Sequence, residues 1–489
     1  MMTGKPDFSR PRPIRRRAGA DASAAPLDDP TAIRSLLLDA AARGASYLER
    51  VNDRRVTPEL DAINRLDVLD IDLPDEGMPA RDVLRLLDVV GSPATIASAG
   101  GRYFGLVIGG ALPATVAANW LAAAWDQNAV FRWTSPVSAK LEDVTLKWLG
   151  AIFGLPDAFG GAFVSGASMA TLTALASARH VLLSRAGWDV EAQGLNGAPE
   201  LRIIVGGEVH ITVLKALSLL GLGRDRVIRT EVDDQGRIRP DTLPPLDDRT
   251  ILCLQAGNVN TGSFDPFEPV CGAARKAGAW VHVDGAFGLW AMASAAKAEL
   301  ARGCAMADSW ATDGHKWLNV PYDSGIVLVR RAADLRAAMS ANAAYLAEGV
   351  EGDREPSHYT PELSRRARAV EIWAALSSLG RSGLAELVES SCRHAVAFAE
   401  GLRSRGFEVL NEVVLNQVLV SFGSPEITRR TIALLQEEGV CWCGGTVWQG
   451  HTAMRISVSG WATNEEDVEV SLEAMDRAAR RALKEAGGE

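Results

Sequence analysis

The chain reads as an α/β protein built on a mostly parallel sheet, and three observations predict it. From Leu201 onward, LRIIV, TILCL, AWVHV, ADSWAT and GIVLV are apolar runs of strand length separated by helical or loop segments, the alternation expected of strands buried on both faces. Upstream, GGAFVSGASMATLTALASARH sets a short apolar strand, a turn of small residues and a long helix in succession. Finally, His210, Asn258 to Thr261, Asp284 and Lys316 each follow one of these strands, and the functional groups of such folds gather beyond the carboxyl ends of the strands.

A chain of 489 residues with 47% hydrophobic content can bury a large core, and its length suits two or three domains. The net charge of −10 argues against a nucleic-acid surface. Cys253, Cys271, Cys304, Cys392, Cys441 and Cys443 are scattered with no CxxC, the usage of a reduced, cytoplasmic protein without a disulfide framework. The Cys441-Trp-Cys443 pair has no matching Cys/His pair elsewhere, so no metal site is expected.

Taken in order, residues 1–27 are rich in Pro, Arg and Ala, with Arg15, Arg16 and Arg17 in a run and no apolar stretch behind it. A disordered basic tail is expected rather than a secretory signal, with a partner-binding arm as the alternative. Apolar residues recur at helical spacing from Pro30 to Leu48, and a second helix is expected over Ala80 to Val90. Residues 28–98 thus form a helical segment suited to packing on a partner subunit. Tyr103 to Trp125 carries no charged side chain over 23 residues, long enough to span a bilayer. Gly105, Gly109, Gly110, Pro113 and Asn119 interrupt it and no comparable segment with basic flanks follows, so a loop and a buried core helix are expected, and no membrane. Ser135-Pro136 starts a helix whose Val137, Leu141, Val144, Trp148 and Ile152 form one apolar stripe, ended by Gly154 and Pro156. Residues 99–373 are assigned to a large domain and 374–489 to a small α+β domain, in which VVLNQVLVSF and MRISVSG read as strands and Thr-Asn-Glu-Glu as a helix start. Arg365, Arg366 and Arg368 precede that domain, as solvated charges by default or as a carboxylate or dimer contact.

The chemistry centres on Lys316, set between His315 and Trp317, and on Asp284, at the end of an apolar Trp-Val-His-Val run. A charged lysine is costly to bury among aromatic neighbours, which points to another use. The two lie 316 − 284 = 32 residues apart, enough for a strand, a crossover and a return strand that bring both to one end of a parallel sheet. An amine to hold an aldehyde as a Schiff base, an acid to face a pyridinium nitrogen and a cradle for a phosphate are the groups that pyridoxal 5'-phosphate demands. Gly166, Ala167 and Ser168 would set bare backbone N–H groups and a hydroxyl at a helix N-terminus, where the dipole favours an anion. Ordinary alternatives stand beside each: a buried aspartate in an ion pair, a surface lysine, a tight strand-to-helix turn without GxGxxG, and for His210 a capping or core role rather than stacking on the cofactor ring. His282 shares a strand face with Asp284 and is expected to support it through a hydrogen bond rather than to form an HxD metal pair.

FVSGASMATLTALASAR, HITVLKALSLLGLG, NVNTGSFDPF, WVHVDGAFG, DGHKW and PELSRRARAVEIW occur in the order seen in group II pyridoxal-phosphate-dependent decarboxylases. From about Tyr103 to its end the chain resembles their aromatic-L-amino-acid decarboxylase branch, whose relatives include glutamate and histidine decarboxylases. The resemblance implies fold type I, the aspartate-aminotransferase-like architecture with a mostly parallel seven-stranded sheet, in a homodimer with active sites at the subunit interface. It implies Lys316 as the Schiff-base lysine, Asp284 as the pyridinium partner, His210 stacked on the ring, Ala286 against the opposite face, and Gly166, Ala167, Ser168 and His315 around the phosphate. Asn258 is counted among the cofactor contacts, although Gly257-Asn258-Val259 replaces the usual Gly-Thr-Thr. Tyr345 matches the mobile-loop tyrosine that protonates the carbanion once carbon dioxide has left. The stretch from Ala347 to Tyr359, rich in Glu, Gly, Asp and Pro, suits a lid or an ordinary surface loop. Asp313-Gly314 stands where many relatives have Asn-Pro, an extra carboxylate near the phosphate that is unfavourable unless paired or protonated. The implied activity is decarboxylation of an L-amino acid, aromatic or otherwise bulky or polar, to the amine. The alternatives are another fold type I reaction, namely aldol-type carbon–carbon cleavage or transamination, and a non-catalytic regulatory relative.

Overall fold

A computed structural model describes residues 29–340 and 354–487. The larger sheet has seven strands: β1 (Gly160–Val164), β2 (Arg202–Gly206), β3 (Ile228–Thr230), β4 (Thr250–Gln255), β5 (Trp280–Asp284), β6 (Ser309–Asp313) and β7 (Gly325–Val329). Their order is β1-β7-β6-β5-β4-β2-β3. From β3 to β6 all pairs are parallel, and β7 runs antiparallel to both β6 and β1. Every residue of β4, β5 and β6 is buried, which is why these strands read as continuous apolar runs rather than as alternation. The period of two survives inside: Val281 and Val283 join one core cluster with Trp290 and Phe153, while Trp280 joins the other with Ala174 and Leu217. The sequence gives no sign of β3, whose Ile228 and Arg229 are exposed at the sheet edge.

The smaller sheet is antiparallel, in the order β10 (Gly444–Trp448), β11 (His451–Ser457), β9 (Gln417–Ser421) and β8 (Glu408–Val409). The Thr-Asn-Glu-Glu start opens the helix Glu465–Gly487: Asn464 Oδ1 accepts the Asp467 N–H at 3.0 Å and Asp467 Oδ2 accepts the Asn464 N–H at 3.2 Å, a reciprocal cap. By internal contacts the chain divides into two compact units. The first takes the described residues up to Arg50 with Pro58–Thr95, the second Val51–Thr57 with everything from Ile96 onward. In the first, Asp29 caps the helix Pro30–Glu49, and Arg43 pairs with Asp88 at 2.8 Å. Both sheets belong to the second.

Three expectations are corrected. The helix Pro113–Trp125 is not a buried core helix. Ala122 packs beside Val370 and Asn119 donates to Glu371, but Trp120, Leu121 and Trp125 are 46%, 55% and 43% exposed. In the helix Pro136–Ile152 the deepest face is Ser138, Glu142, Thr145, Leu146 and Leu149, whereas Val137 is exposed and Leu141, Val144, Trp148 and Ile152 are half-buried. A carboxylate takes the buried side because Glu142 accepts from Arg354 at 2.8 Å and from Arg365. Arg365 and Arg368 are accordingly buried ion-pair members rather than solvated charges: Arg368 Nε lies 2.9 Å from Asp323, and Arg366 pairs with Glu371.

Candidate active site

Strands β6, β5, β4 and β2 are consecutive neighbours and parallel, so the residues that follow them share one edge. Asp284 closes β5. Its buried carboxylate accepts one hydrogen bond, from the Ala286 N–H at 3.2 Å, and no other among the described residues. The Ala286 carbonyl in turn accepts the Asp313 N–H at 2.9 Å, which ties the turn after β5 to the end of β6.

His210 follows β2 and plays the capping role. It heads the helix Ile211–Leu219, with Nδ1 3.4 Å from the Thr212 N–H and 2.7 Å from Thr212 Oγ1. Burial depresses its pKa, Asp284 opposes that shift, and the charges of Lys316 and Arg455 reinforce it, so the ring is neutral at pH 7.

Lys316 resolves the conflict of a lysine among aromatics. Trp317 is fully buried with its Nε1 donating to Ser391 Oγ at 3.1 Å, while the Lys316 side chain remains 23% exposed, its Nζ 3.1 Å from Asp313 Oδ2. Asn319 fastens this turn from behind. Its φ of 57° is in the left-handed region that asparagine tolerates. Its Nδ2 reaches the carbonyls of Lys316, Trp317 and Ser459 at 3.2, 2.8 and 3.0 Å, and its Oδ1 accepts the Trp461 N–H at 2.7 Å.

The cradle forms where β1 turns into the helix Ala167–Arg185. A Cβ on Gly325, at the start of β7, would lie 2.4 Å from Gly166 Cα, so that approach requires glycine. A Cβ on Gly166 would meet His315 Cε1 at 3.2 Å. The Ala167 N–H donates to Asp313 Oδ1 at 2.5 Å, and Ser168 is exposed on the first turn. His315 Nδ1 accepts the Ser324 N–H at 3.0 Å, which leaves the proton of the neutral ring on Nε2, 3.6 Å from Asp313 Oδ1. Burial is the main cause of its lowered pKa.

Asn258 is buried in its own loop, with Oδ1 accepting the N–H groups of Asn260 and Thr261 at 2.9 and 3.3 Å and Nδ2 without a partner among the described residues. Tyr345 lies outside the described residues, as does most of the expected lid. His282 departs from its expected role: Nδ1 pairs with Ser309 Oγ at 3.0 Å, Trp280 Nε1 donates to the same hydroxyl at 2.9 Å, and Nε2 has no partner among the described residues. A neighbouring-strand hydroxyl thus takes the bond assigned to Asp284.

The sequence reading missed Asn319 and Arg455. Arg455, on β11, donates to the Leu106 carbonyl at 3.1 Å and has no carboxylate partner among the described residues, and burial lowers its pKa. An arginine between apolar residues of a strand reads as an outward polar position; only the packing of β11 beside the Leu106 turn marks it.

A family profile described as "Pyridoxal-dependent decarboxylase conserved domain" matches residues 102–423. The chain is 27% identical over 367 residues to an aromatic-L-amino-acid decarboxylase of Bacillus atrophaeus, covering 70% of this chain and 73% of that one. It is likewise 27% identical over 395 residues to the acidic amino acid decarboxylase GADL1 of Bos taurus, covering 78% and 74%. Among solved structures, Oryza sativa TDC with PLP and tryptamine superposes with a TM-score of 0.85 at 22% identity, covering 94% of this chain and 99% of that one. Mouse CSAD does so with 0.84 at 21%, covering 92% and 99%, and the two likenesses show the shared fold.

Proposed function

The chain belongs to the pyridoxal-dependent decarboxylase family, and from that premise we propose how its residues divide the work of a pyridoxal-phosphate-dependent carboxy-lyase that converts an L-amino acid to its amine. The residues fit the cofactor. Asp284 offers a buried carboxylate with a single hydrogen bond, Lys316 a reachable amine, His210 a neutral flat ring, and Gly166 and Ala167 a turn without bulk. The observation that carries the reading is this convergence on one sheet edge.

When bound, the cofactor supplies an electron sink for the pair left behind as carbon dioxide departs. Lys316 Nζ would hold the aldehyde carbon until the substrate amine replaces it. Asp284 would keep a proton on the pyridine nitrogen, because a buried carboxylate with few hydrogen bonds favours an adjacent positive charge. His210 would lie on one face of the ring and Ala286 on the other, with the Thr212 contacts setting the orientation of the imidazole. Gly166, Ala167, Ser168 and His315 would surround the phosphate. Arg455, without an acidic partner among the described residues, would suit a substrate carboxylate. Tyr345 would return a proton to the α-carbon, and Asn258 would shape the loop beside the site. The substrate class we favour is an aromatic or otherwise bulky or polar L-amino acid.

We further propose a homodimer in a reducing, cytoplasmic setting. Trp120, Leu121 and Trp125 support the dimer as an uncovered apolar face, and six free buried cysteines support the compartment. No helix among the described residues is long and apolar enough to cross a membrane.

The test is a visible spectrum of the purified protein with a screen of amino acids for released carbon dioxide and amine. A cofactor band that is lost in Lys316→Ala, with amine and carbon dioxide formed in equal amounts, is the expected result. A bound cofactor without carbon dioxide release would instead point to carbon–carbon cleavage or transamination.

A further inference from the structure

The carboxylate of Asp313 sits where donors converge. Oδ1 accepts the Ala167 N–H at 2.5 Å and lies 3.6 Å from His315 Nε2, and Oδ2 lies 3.1 Å from Lys316 Nζ. The side chain is 3% exposed. His315 directs its Nε2 proton toward this carboxylate because its Nδ1 is engaged by the Ser324 N–H. Two of these donors, the Ala167 N–H and the His315 ring, are those assigned above to the cofactor's phosphate, and the third is the amine assigned to its aldehyde. An internal anion therefore holds the donor set that the cofactor needs.

We propose that Asp313 is a resident anion of the phosphate cradle. It is a positioning residue that keeps the cradle's donors ordered without cofactor and weakens the hold on the phosphate when cofactor is present. The identity of the cofactor rests on the function proposed above. The physical reason is like-charge repulsion: a carboxylate and a phosphate that share donors in a buried cup disfavour each other's charged forms. An asparagine in its place would still accept the Ala167 N–H while carrying no charge.

The test uses the full-length protein freed of cofactor and three probes: pyridoxal phosphate, pyridoxal and inorganic phosphate. In Asp313→Asn, pyridoxal phosphate is expected to bind about tenfold or more tightly, by titration of the visible band, while pyridoxal changes by less than about threefold. Inorganic phosphate, against chloride at matched ionic strength, is expected to raise the melting temperature of the variant more than that of the wild type. Equal changes for pyridoxal and pyridoxal phosphate, or a loss of pyridoxal phosphate binding alone, would overturn the proposal, since either marks Asp313 as mere support. Equal response of variant and wild type to inorganic phosphate would overturn it as well. If phosphate favours the variant and neither pyridoxal compound binds, Asp313 keeps its role and the cofactor assignment fails. Asp313→Ser, which retains an acceptor, serves with the same expectations where the asparagine variant does not fold.

Discussion

His282 lies two residues before Asp284 on the same strand face, yet it acts on stability rather than on the site. Full burial pushes its pKa down to about 4 from the ordinary 6.5, so the folded ring is neutral where an unfolded one binds a proton. The sign follows from linkage: the contribution is present above pH 6.5 and is lost as the pH falls toward 4, roughly 3 kcal/mol in all. Between pH 7 and pH 5, denaturant titration should show the wild type losing about 2 kcal/mol more than His282→Asn; identical losses would refute this. Tyr345 carries the other residue-scale expectation. If Tyr345 is the proton donor proposed above, Tyr345→Phe should shift product from amine to aldehyde, with oxygen consumed and ammonia and hydrogen peroxide released. Unchanged amine yield would remove Tyr345 from the mechanism.

The helix Pro136–Ile152 shows how an element can invert its apparent amphipathicity. Glu142 is the only acidic residue on its buried face, and it is tolerated there because Arg354 and Arg365 converge on it. Removing its charge leaves two guanidinium groups without their partner, Arg365 being fully buried. Glu142→Gln should therefore destabilise the protein by about 3–5 kcal/mol in equilibrium denaturation, whereas a solvated helix face would predict a change under about 0.5 kcal/mol. The turn behind Lys316 follows the same logic. Asn319 spends both ends of its amide on backbone groups of two distant segments, so the position of the lysine depends on the residues around Ser459 and Trp461 as much as on β6.

At the scale of the whole molecule, the helix Pro113–Trp125 is among the elements with exposed large apolar side chains. It is free of charge between Pro113 and Trp125, packs one side on the helix Ala369–Ser404 and leaves two tryptophans and a leucine in contact with solvent. An uncovered apolar face of this kind marks an association surface. If this face carries the dimer contact proposed above, Leu121→Glu combined with Trp125→Glu should convert the dimer to a monomer in light scattering. A dimer that survives both charges would place the interface elsewhere.

Six of the seven strands of the larger sheet, the small-residue turn at Gly166 and the placement of Asp284 and Lys316 after neighbouring parallel strands were legible in the sequence because local patterns carry them: buried parallel strands need unbroken apolar runs, and a helix start needs its cap. The family likeness rested on the same local strings. What stayed hidden depends on partners far away in the chain. The edge strand β3 has no apolar run to announce it, Arg455 carries the pattern of an outward-facing residue, and Glu142 carries that of a surface one. His282 was paired by spacing with Asp284, but a hydroxyl on the neighbouring strand was nearer in space. The sequence by itself determined most of the elements and the family to which the chain belongs, because propensity, periodicity and residue type are properties of short stretches. Only the tertiary structure decided which charges are buried, which donors Asp313 occupies and which apolar face is left uncovered, because those follow from contacts between segments that no local pattern records.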